Sequence, residues 1–351
     1  MSGLAASFRA RRGEAFEVAV DLTIDTGETV ALLGPNGAGK STVVDALAGH
    51  LPIEEGSIAL GERVLDDGRV TFVAPDARNI GVVFQNYLLF DHLDVVDNIA
   101  FGLAVEAPRR EARERARAWL EPMGLVELAK RKPPELSGGQ AQRVAVARAL
   151  APAPDLVLLD EPLAALDART RHQVRRTLAQ HLSAYAGPRL LITHEPMDAF
   201  LLADRIVVME DGVIVQRGTP DDIRRAPATE YVAALSGTNL LTGRADSGQL
   251  TVPEGPRLAT SDVSANGDVL IVIDPAAVAL YPDEPHGSPR NTWLAEVESV
   301  ERLGDIVRVR LGGPLKLMCD ITPAAATALG VTPGQSLWAT VKATEVSVSP
   351  A

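Results

Sequence analysis

The segment Gly34–Ser41, with the sequence GPNGAGKS, places glycine, lysine and serine in the spacing of a phosphate-binding loop. An apolar run, TVALLG, leads into it, and a helix-like run, KSTVVDALAGHL, follows. Glycines let successive backbone N–H groups turn toward a phosphate, and the start of a helix adds positive charge. These flanks argue against a glycine-rich turn without a ligand. The segment predicts a nucleotide site in which Lys40 contacts the β- and γ-phosphates and Ser41 binds Mg²⁺. The expected contacts are Gly34, Pro35, Asn36, Gly37, Ala38, Gly39, Lys40, Ser41 and Thr42.

Two acids, Asp160 and Glu161, end the apolar run LVLLDEP. An acid at a strand end beside a phosphate loop commonly serves Mg²⁺ through water, which we expect of Asp160. The acid that follows it is placed to orient and deprotonate an attacking water, which we expect of Glu161. His194 ends the run LITHE and could touch the γ-phosphate or that water. A lone histidine at a strand end is more often structural, and Gln85, at the end of NIGVVFQ, is uninformative by itself.

A second anion cradle stands at Leu136–Gln140, LSGGQ, directly before the helix-like run AQRVAVARAL. A serine followed by two glycines at a helix start offers backbone N–H groups and the positive end of the helix to an anion. Since one phosphate loop is already present, these residues alone leave the purpose of the second cradle open.

Composition narrows the class of protein. The chain has 351 residues, 46% hydrophobic and 23% charged, which suffices for two or three domains. Its net charge of −12 argues against sequence-independent binding to nucleic acid. One cysteine, Cys319, cannot form an internal disulfide and favours a reducing compartment. Neither a signal peptide nor a run of about 18 apolar residues is recognisable, so we expect the chain to reach a membrane only through a partner.

The fold class follows from the alternation of apolar runs with helical stretches up to about Thr219. The runs TVALLG, NIGVVFQ, DLVLLDEP, RLLITHE and RIVVMEDG indicate a parallel sheet covered by helices on both faces. The segment FEVAVDLTIDTGE alternates with period two and predicts an antiparallel piece at the edge of the sheet. From about Asn239, short alternating runs predict a small all-β barrel or sandwich, with YPDEPHGSPRN as an internal linker.

Taken in order, these motifs resemble the ATP-binding-cassette (ABC) ATPases over roughly residues 1–235. The match comprises Walker A at Gly34–Ser41, the Q-loop at Gln85, the signature at Leu136–Gln140, Walker B at Leu156–Glu161, the D-loop LAALD ending at Asp167, and the switch His194. The resemblance implies an α/β P-loop ABC ATPase domain with a parallel sheet core, an antiparallel β edge and a helical subdomain at about 86–140. A C-terminal all-β domain of TOBE/Mop-like, OB-type character would follow at 236–351, with its Mop-like segment at about 290–350.

The family's mechanism explains the two cradles. In these ATPases the signature of one protomer closes on the ATP that the other protomer holds. The resemblance therefore implies a homodimer that ATP closes and hydrolysis releases. It places Ser137, Gly138, Gly139 and Gln140 at the partner's nucleotide. Gln85 would join Ser41 and Asp160 at Mg²⁺ and link the site to the membrane partner, and the catalytic residues would be Glu161, His194 and Gln85.

An aromatic residue that stacks on adenine usually precedes Walker A by about thirty residues in this family. The sequence has no tyrosine there; Phe8 is the nearest fit and Phe16 the second choice.

Transport is favoured over a translation or DNA-repair ATPase and over a regulatory module. Nucleic-acid members of the family usually carry two cassettes, a long coiled coil or zinc-binding cysteines, none of which this sequence shows. The resemblance then implies a peripheral subunit at the cytoplasmic face of the cell membrane. Integral-membrane permease subunits would dock near Tyr87–Phe90, a solute-binding protein would act indirectly, and no nucleic acid is expected.

The C-terminal part resembles the oxyanion-associated β domain of molybdate importer ATPases. The phrases ITPAAATALGVTPGQ and ATVKATEV carry most of the likeness, together with the upstream FVAPDARNIGVVFQNYLLFDHLDVVDNIAFGL. The resemblance implies the ATPase subunit of a molybdate importer, with sulfate as a related oxyanion. Importers of spermidine, iron or sugars remain alternatives because they share the cassette. Thr322, Lys342 and Thr344 are candidate donors to an oxyanion in this domain, and a spacer domain with solvated side chains is the competing interpretation.

Overall fold

The chain divides into two compact units, Met1–Pro220 and Asp221–Ala351. The computed structural model of the protein describes residues 3–13, 16–84, 86–105, 107–164, 166, 168–253 and 255–351. In the first unit the strands are β1 (Leu4–Arg12), β2 (Phe16–Ile24), β3 (Thr29–Leu33), β4 (Glu55–Leu60), β5 (Arg63–Asp66), β6 (Ile80–Val83), β7 (Leu156–Asp160), β8 (Arg189–Ile192), β9 (Arg205–Glu210) and β10 (Val213–Gly218). The helices are α1 (Lys40–Ala48), α2 (Val95–Leu103), α3 (Arg109–Arg117), α4 (Gly138–Leu150), α5 (Ala168–Ala184) and α6 (Pro196–Leu202).

Five neighbouring strands form the parallel half of the sheet in the first unit. At its border, β9 pairs with β10 in the antiparallel direction. The full order is β5-β4-β1-β2-β10-β9-β3-β8-β7-β6, and β9, β3, β8, β7 and β6 pair in parallel. Every residue of β3 and β8 is buried, as is β7 except for its last residue. Continuous apolar runs of this kind suit strands that are covered on both faces. The predicted parallel sheet is confirmed.

The other half of the sheet is antiparallel except between β2 and β10, and it is larger than the sequence indicated. β2 pairs with β1 along its whole length, and β1 pairs in turn with β4. The predicted edge piece therefore lies inside the sheet, because β1 covers its outer side. In β1, Leu4, Ala6, Phe8 and Ala10 are buried and alternate with exposed residues. This period-two pattern marks a strand, but its arginines and alanines obscure it.

Helices α2, α3 and α4 pack together with residues near β6 and β7 in one apolar cluster. Asp94 caps α2 by accepting a hydrogen bond from the Asp97 N–H at 2.7 Å. The amide of Asn98 is fully buried and bonds to Phe90 N–H, Phe90 O and Leu93 O. The loop that precedes α2 is thereby fastened to the helix, and its course past β6 is set.

The second unit is built from β-strands around its own apolar core. Two antiparallel sheets have the orders β13-β12-β11-β14-β20 and β15-β19-β16-β17-β18. Their strands are β11 (Asn239–Asp246), β12 (Gln249–Thr251), β13 (Arg257–Ala259), β14 (Gly267–Ile273), β15 (Ala279–Tyr281), β16 (Asn291–Leu303), β17 (Ile306–Gly312), β18 (Leu317–Ile321), β19 (Ser336–Val341) and β20 (Val346–Pro350). Three short helices accompany them: α7 (Pro220–Arg225), α8 (Glu230–Ser236) and α9 (Pro323–Leu329). The division between the two units falls at Pro220, the first residue of α7.

Candidate active site

The parallel half of the sheet brings the ends of β3, β7 and β8 to one edge. Leu32 of β3 and Asp160 of β7 both pair with Ile192 of β8. The residues that follow these three positions therefore emerge side by side, among them Gly34, Glu161 and His194. The carboxyl edge of a parallel sheet is where open α/β folds bind ligands.

The phosphate-loop segment wraps around the side chain of Lys40. Lys40 Nζ donates to the carbonyl oxygens of Gly34 at 2.7 Å and Pro35 at 2.9 Å. Gly39, with φ of 105°, caps α1 and makes no side-chain hydrogen bond to the first N–H groups of the helix. A Cβ on Gly34 would lie 2.2 Å from Met209 O, so a larger residue does not fit there. The ammonium and the open helix start together form a cradle suited to phosphate.

Burial shifts the pKa values of Asp160 and Lys40 in opposite directions. Burial raises the pKa of Asp160 above its usual value, the negative charges of Glu161 and Asp45 raise it further, and Lys40 lowers it. Burial lowers the pKa of Lys40, against the pull of Glu161 and Asp160. Each charged form is thus disfavoured by desolvation, and a bound cation at the carboxylate and a bound anion at the ammonium would offset that loss.

Glu161 and His194 form the exposed side of the same edge. Glu161 Oε1 lies 3.2 Å from His194 Nδ1, with Glu161 20% exposed and His194 52% exposed. Glu161 adopts the left-handed φ of 47°, and its N–H donates to Ile192 O at 2.9 Å. A non-glycine residue costs about 1–2 kcal/mol in this conformation, and such strain concentrates at functional sites. The carboxylate is placed to accept a proton and the imidazole to hold a neighbouring oxygen.

The second cradle is the N-terminus of α4. Ser137 Oγ accepts from the Gln140 N–H at 3.4 Å, and Gln140 Oε1 accepts from the Ser137 N–H at 2.9 Å. This reciprocal capping box fixes the turn. Ser137 and Gly138 are exposed, whereas Gly139 is buried. The second cradle is therefore exposed to solvent at the start of α4, whereas Lys40 lies on α1.

The structure brings most of the residues predicted from sequence to two places. Gly34–Thr42, Asp160, Glu161 and His194 meet at the carboxyl edge of the sheet, and Ser137–Gln140 start α4. Gln85 and Asp167 lie outside the described residues.

The two aromatic candidates differ in exposure and position. Phe8 is 4% exposed and belongs to the apolar core, so its ring has no free face for a base. Phe16 is half-buried, and a Cβ on Gly39 would lie 3.2 Å from its Cε1. Phe16, the second choice from sequence, is therefore better placed beside the phosphate loop than Phe8.

Two further residues of the site escaped the sequence analysis. Gln142 is fully buried and its Nε2 donates to Pro162 O, which joins α4 to the turn after Glu161. Its position two residues after the signature was the available signal. Asp45, on α1, adds negative charge near Asp160 and pairs with Arg12. This contact between β1 and α1 had no local signal.

The side chains at this site suit Mg²⁺ only if a bound phosphate and water supply further oxygen ligands. No group of three or more His, Cys, Asp or Glu within the described ranges is arranged to hold a metal ion. Of the residues predicted to bind Mg²⁺, Asp160 supplies a carboxylate and Ser41 a hydroxyl, while Gln85 lies outside the described residues. Such a sparse oxygen set fits Mg²⁺, which usually keeps waters and takes phosphate oxygens as further ligands.

The three oxyanion candidates of the second unit do not share one hollow. Thr322 Oγ1 accepts from the Ala325 N–H and caps α9. Lys342 lines a hollow of about 430 Å³ together with Asp274 and Glu345. Thr344 lines another, of about 290 Å³. The acids beside Lys342 make that hollow a poor match for an oxyanion.

Comparison with known proteins covers both units. The model of the ABC transporter family matches residues 18–164, and that of the TOBE domain matches residues 287–348. The molybdenum import ATP-binding protein ModC of Mycobacterium tuberculosis is 41% identical over 346 residues, which span 95% of this chain and 94% of that protein. The Fe(3+) ions import ATP-binding protein FbpC of Streptomyces avermitilis is 41% identical over 269 residues, 76% of each chain.

A solved structure supports the fold of the first unit. The ATP-binding cassette MJ0796, in a dimeric post-hydrolysis state bound to ADP and Pi, matches with a TM-score of 0.53 at 28% identity. The match covers 63% of this chain and 99% of that one. Among the helices that the described residues form, none is long and apolar enough to cross a membrane. The predicted fold class, an ATPase domain followed by an all-β domain, is confirmed.

Proposed function

This chain belongs to the ABC transporter family as the ATP-hydrolysing subunit of an importer, and from that premise we propose that its transported solute is molybdate. As a member of the family it binds ATP, acts as a dimer with membrane permease subunits and associates peripherally with the membrane. The solute, the detailed roles of the site residues and the docking surface are the proposed parts.

The observation that carries the molybdate proposal is the identity that is kept along nearly the whole chain. The molybdenum import protein is 41% identical over 95% of the chain, whereas a sulfate/thiosulfate import protein is 38% identical over 94% and a second iron import protein is 36% identical over 91%. The TOBE match at residues 287–348 lies in the second unit. Sulfate, a tetrahedral oxyanion of the same charge, is the alternative with the closest chemistry; spermidine, iron and sugars are the others.

The test is uptake and ATPase activity of the chain reconstituted with the permease and solute-binding protein encoded beside its gene. Molybdate, sulfate, spermidine, ferric iron and maltose are supplied in turn. Stimulation by molybdate at concentrations where the others have no effect is expected. Stimulation by another solute alone would overturn the molybdate assignment while leaving the ATPase role intact.

We assign the hydrolytic roles as follows. Lys40 and the N–H groups of the phosphate loop hold the β- and γ-phosphates, and Phe16 stacks on adenine. Ser41 and Asp160 would hold Mg²⁺, which neutralises phosphate charge when bound. Glu161 takes the proton of the attacking water, and His194, at 3.2 Å from Glu161, holds the γ-phosphate. Gln85 is proposed to complete the catalytic and Mg²⁺ contacts.

The outward-facing signature turn supports a head-to-tail dimer. Ser137, Gly138, Gly139 and Gln140 would contact the γ-phosphate held by the other protomer, with a helix N-terminus meeting an anion. The ATP-free chain would then be monomeric or open, and ATP would join two copies. The subunit is proposed to sit at the cytoplasmic face, where cellular ATP is available.

A groove beside β6 is the proposed docking surface for a helix of the permease. It measures about 800 Å³ and has Leu88, Phe90, Phe101, Val105 and Arg148 in its wall. Leu88, Phe101 and Val105 are 55%, 53% and 85% exposed. Large apolar side chains exposed together mark a binding surface. This groove includes part of the predicted segment Tyr87–Phe90.

An oxyanion regulator at the second unit remains a secondary proposal, with Thr322, Lys342 and Thr344 as candidate donors at separate places, because they do not line one hollow. Equilibrium dialysis of the full chain against labelled molybdate tests it, with the Lys342→Ala variant as comparison. Retention that Lys342→Ala does not reduce would exclude Lys342 from such a site.

A further inference from the structure

The segment that follows Gln85 contains two adjacent non-glycine residues in the left-handed conformation. Tyr87 has φ of 58° and Leu88 has φ of 41°. L-residues avoid this region because Cβ crowds the following carbonyl oxygen, and two in succession persist only when their surroundings hold them. Tyr87 is 8% exposed and packs in the apolar cluster of the helical region. Leu88 is 55% exposed and faces the groove described above.

A single side chain, Arg148, holds both residues. Its Nη2 donates to Tyr87 O and its Nη1 donates to Leu88 O, each at 2.7 Å. The guanidinium also lies 5.3 Å from the centre of the Phe90 ring. A planar guanidinium bonds two adjacent carbonyls from two nitrogens held in a fixed plane, whereas a lysine would have to bond both from one nitrogen at the end of a flexible stem. We name Arg148 with the carbonyls of Tyr87 and Leu88 the arginine clamp.

Arg148 and the signature turn lie on the same helix, α4. Arg148 is in the last turn of α4, and Ser137 caps its first turn. At 1.5 Å per residue the two are about 16 Å apart along one helix. A cation in the last turn also complements the helix dipole, which helps to keep Arg148 in place. The clamp therefore connects Tyr87 and Leu88 directly to the helix that begins at the signature turn.

We propose that Arg148 is a positioning residue that couples occupancy of the groove to the signature turn, by fastening Tyr87 and Leu88 to the far end of α4. This rests on the proposed role of the groove in permease docking. When a permease helix presses on Leu88, the clamp moves α4 together with the Tyr87–Leu88 turn, and Ser137 is brought toward the partner's nucleotide. Without the clamp the turn relaxes separately from α4.

Hydrogen exchange of the isolated chain tests the clamp itself. The variants are Arg148→Gln, Arg148→Lys and, as a matched control, Arg110→Gln, which removes the same charge from a side chain that is 94% exposed. We expect amides of residues 86–90 to exchange about tenfold faster or more in Arg148→Gln, as two charge-assisted hydrogen bonds are lost. Arg148→Lys should recover only part of the protection. Wild-type protection in Arg148→Gln would overturn the proposal.

The coupling is tested in the transporter assembled with its permease in lipid nanodiscs. The readout is the ratio of the ATPase rate in the assembled complex to that of the isolated chain, with kcat and KM for ATP measured separately. Arg148→Gln is expected to reduce this ratio at least about fivefold through kcat, while the permease still co-purifies; Arg110→Gln is expected to keep it. Equal losses in both rates, with a lowered Tm, would mean a merely structural role and overturn the proposal.

The two hypotheses fail in different ways. If the wild-type chain neither binds the permease nor is stimulated by it, the docking role fails, and the exchange experiment still decides whether the clamp exists. If the wild-type chain is stimulated and Arg148→Gln is stimulated equally, the docking role stands and the coupling through Arg148 is refuted.

Discussion

Arg78 ties the helix of the phosphate loop to the rest of the first unit, and we expect its replacement by methionine to loosen that helix. The side chain is fully buried. Its Nη1 donates to Ala46 O at 2.7 Å and Leu47 O at 2.8 Å, near the end of α1, and its Nε donates to Val73 O at 2.7 Å. Asp66, also buried, lies 3.9 Å from Nη2.

The magnitude follows from what the substitution leaves behind. Burial lowers the pKa of Arg78, and the charge of Asp66 opposes that shift, so the two buried charges support each other. Removing one partner of a buried pair costs about 3–5 kcal/mol because the other charge stays buried. Asp66 also accepts from the N–H groups of Ile53 and Gly68. We therefore expect Arg78→Met to lower the free energy of opening of α1 by about 3 kcal/mol, at the low end of that range.

Native-state hydrogen exchange of the α1 amides is the assay, since a chain of two units need not unfold in one transition. The control is the double variant Arg78→Met/Asp66→Asn, in which neither charge remains. It should recover about 1 kcal/mol or more. ATP affinity should fall in Arg78→Met, because α1 carries Lys40. A loss of less than about 1 kcal/mol, or a double variant no more stable than Arg78→Met, would refute this account of the buried pair.

Four further predictions concern the nucleotide site. Glu161→Gln should lower kcat about 10²–10⁴-fold, the usual effect of losing a general base, yet retain ATP and stall as a closed dimer on gel filtration. Lys40→Ala should instead lose ATP affinity in a binding titration. Phe16→Ala should weaken ATP binding about 5- to 150-fold, the range of one aromatic stack on a base, whereas Phe16→Trp should not. Asp160→Asn should raise the Tm of the ligand-free chain at neutral pH. Since the folded state raises the pKa of Asp160, its ionised form destabilises the fold, and the gain should vanish as pH falls below the unfolded pKa.

Each of these outcomes has a clear opposite. Rapid turnover by Glu161→Gln would remove that residue from the role of base. Unchanged affinity in Lys40→Ala, measured with ATP in the absence of a partner subunit, would contradict its place at the phosphates. If Phe16→Ala and the wild type bind ATP with equal affinity, a side chain other than Phe16 contacts the adenine. A Tm of Asp160→Asn that is lower than wild type at pH 7 would mean that its carboxylate stabilises the fold.

Much of the first unit could be predicted because its signals are local. A buried strand such as β3 is a continuous apolar run. The turn at Gly34–Gly39 depends on glycines and on the residues adjacent to them in the sequence. The antiparallel half was harder. β1 has alanine at two of its four buried positions, so its pattern is weak, and the inner place of β2 depends on β1. The sequence could not rank Phe8 against Phe16 by exposure for the same reason, since exposure depends on what packs over each ring.

By itself the sequence determined the family and the order of the motifs, and it predicted the two anion cradles, because backbone conformation at glycines, helix starts and strand ends is a property of neighbouring residues. Only the tertiary structure decided which distant segments meet. β3 lies between β8 and β9, which follow it far along the chain, and this pairing assembles Lys40, Asp160 and Glu161 into one site. Contacts such as Arg78 with the end of α1, or Arg148 with Tyr87 and Leu88, join residues remote in sequence. The packing of the whole fold sets such contacts, and no local pattern encodes them.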